Sequence, residues 1–248
     1  MKNALISLVL TITLAPLATA QSKPFVYYVP AVARSGGVNG SFFVSDVRAF
    51  NKGTATASVD AYLLPAGDKR SFTVAPNRAA SYADVLTSLF ELQGGVGAMR
   101  IESDQPLLVS SHLQNVNSLC PSLGGTTGQY LPAVPRSAAS TRQRLPHLTS
   151  DAGHRANFGV VNASDVEANL TIKLLDTDSG SFISEAVLRV QPQGWIQINH
   201  IVDQFFIFEP VPHGLLEVTS DVPVIAYLSL LDNTTNDAFT VLGDSAEN

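Results

Sequence analysis

Hydrophobic positions along the chain alternate with polar ones far more often than they recur at helical spacing. Val59, Ala61 and Leu63 alternate with Asp60 and Tyr62, and Leu170, Ile172 and Leu174 alternate with Thr171 and Lys173. A period of two predicts strands with one buried face and one wet face. Such strands recur between turn signals at Asn51–Gly53, Pro65–Gly67 and Asp176–Gly180, a spacing that predicts an all-β sandwich. Two segments break the alternation. Val85, Leu86, Leu89 and Phe90 follow Asp84 at helical spacing, and a similar apolar group follows Asn199. Each predicts one short helix, with Asp84 or Asn199 as its cap.

The pattern occurs twice. The octapeptide Tyr28–Ser35 returns as Tyr130–Ser137 at an offset of 102, with six of eight residues identical. Phe50-Asn51 then matches Val161-Asn162 at an offset of 111, and Ile101–Val109 matches Val218–Ala226 at 117. The matched segments keep their order, which predicts two β-sandwich units over residues 25–118 and 127–243, joined by a linker at 119–126. On this alignment His200 stands where the first unit has Val85. The second copy has Ala-Asn157-Phe-Gly-Val where the first has Ser-Asp46-Val-Arg-Ala, so Arg48 belongs to one copy only.

The run Ser45–Asn51, with Leu63–Gly67, Val85–Phe90 and Arg100–Leu107, resembles immunoglobulin-like repeat modules of secreted bacterial proteins. The resemblance covers nearly all of the chain after residue 20. It implies an all-β fold of two tandem immunoglobulin-like sandwich domains in an envelope or extracellular setting, and it implies no activity.

Residues 1–20 read as a secretory signal. Lys2 is followed by an apolar stretch from Ala4 to Leu17 and by small residues at Ala18-Thr19-Ala20. The stretch is short for a membrane span and is broken by Thr11, Thr13 and Pro16. The expectation is a protein that is secreted, extracellular or periplasmic, with no membrane span once the signal is removed. The formal charge of −6 becomes −7 without Lys2, and the basic residues are scattered. A nucleic-acid partner would require a basic face, so none is expected. The single cysteine, Cys120, permits no intramolecular disulfide. Its setting in Ser-Leu-Cys-Pro-Ser makes it a candidate intermolecular thiol, and an oligomer is an open expectation.

Candidate chemistry is sparse. Asp176-Thr-Asp178-Ser-Gly180 opens like a calcium loop but lacks the later oxygen ligands, and it reads as a turn. The five histidines show no metal-ligand spacing, no Gly-x-Ser-x-Gly elbow is present, and Gly94–Gly97 leads toward a strand rather than a helix. No cofactor, metal or catalytic residue is therefore assigned, and no enzyme activity is expected. Asn51, Asn162, Asp104 and Asp221 are retained in both copies and read as turn residues, and Arg34 and Arg136 as ties to carboxylates. Residues 137–156 read as a long, locally basic loop carrying Arg142, Arg144, His147, His154 and Arg155. With Trp195, the only tryptophan, these are the candidate contacts for a protein or polysaccharide partner. Phe205, Phe206 and Phe208 are expected at a seam between the units or between chains. The reading is a non-catalytic binding or structural module; the alternatives are a carbohydrate-binding protein, a subunit of an extracellular assembly, and a hydrolase without a recognisable motif.

Overall fold

The computed structural model describes residues 23–116, 126–205 and 210–245. The expected signal at 1–20, together with Cys120, Phe206 and Phe208, lies outside the described residues. The fold is all-β and contains two sheets. The first holds β1 (Phe25–Gly36), β2 (Phe42–Asn51), β3 (Ala57–Leu64), β4 (Asp68–Val74), β5 (Ala79–Tyr82), β6 (Gly95–Ser103), β7 (Leu107–Asn115), β8 (Thr127–Pro132) and β9 (Val134–Pro135). The second holds β10 (Ser140–Ser150), β11 (His154–Asn162), β12 (Ala168–Asp176), β13 (Phe182–Val190), β14 (Trp195–Ile198), β15 (Val211–Asp232), β16 (Ala238–Leu242) and β17 (Asp244–Ser245).

Each sheet folds into a sandwich of two layers. In the first, β4-β3-β6-β1 faces β5-β2-β7-β8, and β1 reaches β2 only through Arg34, Ser35 and Gly36. The alternating residues Val59, Ala61, Leu63, Met99 and Ile101 from one layer meet Val47, Ala49, Leu107 and Val109 from the other. The second sandwich repeats the plan with Leu170, Ile172, Leu174, Leu216 and Val218 against Phe158, Val160, Ala226 and Leu228. Its β15 runs for 22 residues and serves both layers, pairing before Asp221 with β12 and with β10 from Arg142 on, and after Pro223 with β11, β16 and the first residue of β10, Ser140.

The hydrogen bonds repeat with the strands. Asn51, fully buried, donates from Nδ2 to the carbonyls of Ala55 and Val74, and the N–H of Gly53 donates to its Oδ1. Asn162 donates to Val166, Val190 and Gln191 and accepts from the Ser164 N–H in the same way. Asp104 accepts from the Ser58 N–H at 2.8 Å, and Asp221 from the Asn169 N–H at 2.9 Å.

The register corrects the alignment at its start. Tyr28 stands opposite Arg100, and Arg144 opposite Glu217, so β10 is the counterpart of β1. The second octapeptide lies in β8, which covers the edge of β7, and in β9, where Val134 pairs with Tyr28. The two octapeptides thus meet at one pair, Val134 with Tyr28, and do not occupy equivalent places in the two sheets. Residues 127–135, expected to open the second unit, complete the first sheet, because without β8 the edge of β7 would be left unpaired.

The helices are shorter than expected. The first is one turn, Val85–Ser88. Asp84 lies in the left-handed region (φ 47°) and makes no capping bond; its carboxylate pairs with Arg34 and accepts from Thr87 Oγ1. The second is a 3-10 turn, Ile201–Phe205. His200 precedes it with φ 52°, the counterpart of Asp84 rather than of Val85. The N–H of Asp84 donates to Asp46 Oδ1 and that of His200 to Asn157 Oδ1, so side chains from the neighbouring strand hold both bends. Phe205 is buried within the second core. Among the described residues no helix is long and apolar enough to cross a membrane.

Candidate functional site at the seam between the sheets

The outer face of β11, β14 and the later half of β15 lies on the outer face of β1, β3 and β6. Val161, Ala163 and Ile225 pack with Tyr28, Leu64 and Ala98, and Trp195 lies against them. Farther along, Tyr227 packs with Ala31 and Leu131. Gly159 permits this: a Cβ there would stand 2.0 Å from the Tyr227 ring, which lies across the bare backbone and donates from its hydroxyl to Gln197 Oε1 at 2.9 Å. Burial raises the pKa of Tyr227, so the hydroxyl stays protonated as that donor.

Polar groups tie the seam together. Tyr28 donates to Gln193 Oε1 at 3.0 Å, and Trp195 Nε1 donates to the Pro30 carbonyl at 2.8 Å. Gln129 Oε1 accepts from both Ser229 and Thr240. Trp195 is therefore a seam residue whose ring is fixed at its N–H edge, rather than a free platform.

Beside these contacts the two sheets leave a cleft of about 620 Å³. One wall is Ala31, Val32, Val38, Phe43 and Leu113, and the other carries Arg155, Asn157, Trp195, Gln197, Asn199 and His200. Arg155 is the unusual member, with only 7% of its surface exposed. Its Nη1 donates to Asn233 Oδ1 at 2.8 Å and its Nη2 to Asn236 Oδ1 at 2.7 Å. Among the described residues no carboxylate forms an ion pair with it. Burial lowers its pKa, opposed by the negative charge of Asp232. A guanidinium keeps its charge under such a shift. The cleft wall thus carries a cation held by neutral amides, next to side-chain amides, an imidazole and an indole.

The other candidates fall elsewhere. The expected loop at 137–156 is mostly strand β10, because its residues pair with β15 over Ser140–Ser150. Arg142 and Arg144 lie on the outer face of that strand and both hydrogen-bond Glu217 Oε2, at 3.0 and 3.2 Å. The Arg142 hydrogen bond, aided by Arg144 and opposed by burial, lowers the Glu217 pKa. His147 and His154 come together across the turn from β10 to β11, lining a cleft of about 320 Å³ with Asp232 and Phe239. His154 Nδ1 lies 3.1 Å from Asp151 Oδ1. Among the described residues no three histidine, cysteine, aspartate or glutamate side chains converge as a metal site would require. Asp176 accepts from the N–H and the hydroxyl of Ser179, and Asp178 pairs with His213, so this segment is a turn.

Arg155 and Trp195 are the two sequence candidates that share the seam cleft. Asn157 and His200, marked in the sequence only as places where the copies differ, and Gln197, not marked at all, join them because strand pairing brings β14 beside β11.

No family model and no curated protein matches the chain. Among solved structures, Thermotoga maritima 1070 aligns with 44% of this chain and 97% of its own, at 17% identity and a TM-score of 0.38. A calcium-binding mutant of Bacteroides uniformis beta-glucuronidase 2 aligns with 88% of this chain at 9% identity and a TM-score of 0.18. A glycosyl hydrolase family 2 member from Bacteroides cellulosilyticus aligns with 88% at 10% identity and 0.19. The chain spans 26% and 28% of the length of those two proteins.

Proposed function

We propose that the chain is an exported, non-catalytic binding protein made of two tandem immunoglobulin-like β-sandwich modules, and that its ligand is a small hydroxylated carboxylate such as an acidic sugar, held in the seam cleft. The observation that carries this reading is Arg155. A buried cation whose hydrogen-bond partners are neutral gains from an anion, and a carboxylate matches the planar fork of a guanidinium. The amides of Asn157, Gln197 and Asn199 suit ligand hydroxyls, and the pinned Trp195 ring offers an apolar surface beside them.

Titration calorimetry with glucuronate, galacturonate and glucose tests this. Binding of an acidic sugar with no heat from glucose is the expected result, and Arg155→Gln should weaken it by about ten- to a hundredfold, the usual loss for a charged hydrogen bond. The absence of acidic-sugar binding, or binding unaffected by Arg155→Gln, would overturn the assignment.

A further inference from the structure

We infer that β13 is a self-association edge, along which two copies of this chain join their second sheets by antiparallel pairing across a two-fold axis at Val187. Among the described residues β13 pairs with β12 alone, and no strand lies on its other side. It is nine residues long and contains no proline, and Val187 at its middle is 80% exposed. Such an edge offers a row of free N–H and C=O groups to another strand. The comparable edges are guarded. At the opposite end of the same sheet stands β17, two residues long. In the first sheet β4 holds the place of β13, and its Lys69 and Ser71, where β13 has Glu185 and Val187, turn inward to the Asp60 carboxylate.

Charge identifies the occupant. On the outer face the register sets Asp244, Arg144, Glu217, Lys173 and Glu185 side by side on successive strands, an alternating row that ends on an acid at the free edge. A cation on the next strand would continue it. Four residues on, at the same edge and on the same face, Arg189 is exposed opposite Asn169, and among the described residues it forms no ion pair. An antiparallel copy of β13 centred on Val187 sets Glu185 against the partner's Arg189 and Arg189 against the partner's Glu185, with the two Val187 side chains between them. Other registers lose this match. Centring on Glu185 or Arg189 opposes like charges, and centring on Ala186 or Leu188 sets a charge against Val187. On the inner face the matched register sets Ala186 against Leu188, both of which border the second core, so the join is apolar beneath and charged above. The β4 edge of another copy does not substitute, because its outer face offers Lys69, Ser71 and Thr73 and no acid for Arg189. The isologous contact uses up both free edges and closes at the dimer.

Sedimentation velocity across a dilution series of the mature chain tests this, with a reversible dimer as the expected result. Glu185→Arg and Arg189→Glu each set like charges opposite one another at both ends of the contact, and each should weaken association by at least about tenfold. Mixed in equal amounts, the two variants should associate again, because each chain then supplies the charges that the other lacks. A variant that had merely failed to fold would not recover in the mixture. Leu108→Lys, at an exposed position of the first sheet, should leave the dimer intact. A wild-type chain that is monomeric throughout, a dimer that survives either single charge reversal, a mixture that stays monomeric, or a dimer lost in Leu108→Lys would each overturn the proposal.

Discussion

Asn51 and Asn162 show how one side chain fixes a turn in this fold. Each is fully buried and spends its amide on carbonyls of the turn that follows it and of a neighbouring strand's end. Replacing Asn162 with alanine strands those carbonyls and should lower stability by about 3 kcal/mol, read from urea unfolding, since each buried polar group left without a partner costs about 1–3 kcal/mol. Gly159 is a second such position. Gly159→Ala drives a methyl into the Tyr227 ring, and a loss of about 2–4 kcal/mol is expected in the same assay. Asn51 and Asn162 were legible in the sequence as turn residues because both copies retain them. Gly159 was legible only as the loss of an arginine. Its role depends on a ring brought from another strand, which no local pattern encodes. Arg155 shows the same limit: it read as part of a basic loop, whereas Asn233 and Asn236, distant in sequence, make it a buried cation.

At the scale of elements, alternation identified the strands well, since each sandwich buries one face of every layer. Helical spacing after Asp84 and Asn199 marked real breaks, but the caps were misread. There the backbone takes positive φ at Asp84 and His200, and β2 and β11 supply the acceptors. The octapeptide repeat misled because its second copy lies on β8 and β9, which complete the first sheet, while β10 takes the place of β1 in the second. The outer side of β3 carries a network found in one sandwich only: Asp60 bonds with Lys23 at 2.7 Å, Lys69 at 3.0 Å and Ser71 at 2.6 Å, and Thr171 stands at its counterpart. Burial works against ionisation of Asp60, but the bonds from Lys23, Ser71 and Lys69 prevail and hold its pKa at about 2. Because that value lies below the unfolded one, the network stabilises the fold above the ordinary carboxylate range and the contribution is lost as pH falls through about 2. Asp60→Asn should therefore lower the melting temperature at pH 7 and flatten its fall between pH 5 and about pH 2, measured by calorimetry at stepped pH.

For the whole molecule, the seam buries Val161 and Ile225 of the second sheet, whereas among the described residues the matching pair of the first, Phe50 and Leu108, is exposed, so two similar sheets present unlike surfaces. The two sheets also differ in how their layers are joined. The first passes between its layers through the break from Ser103 to Leu107, whereas the second crosses on β15, one strand paired on both sides of the crossing. Separating the layers of the second sandwich means bending a continuous ladder; in the first, a short link can swing. Amide exchange followed by mass spectrometry should accordingly find the slowest protons in Val224–Leu230, with β6 and β7 exchanging earlier under the same denaturant. Under tension, such a strand acts as a spar. The second sandwich would be the part that holds its shape while the first yields.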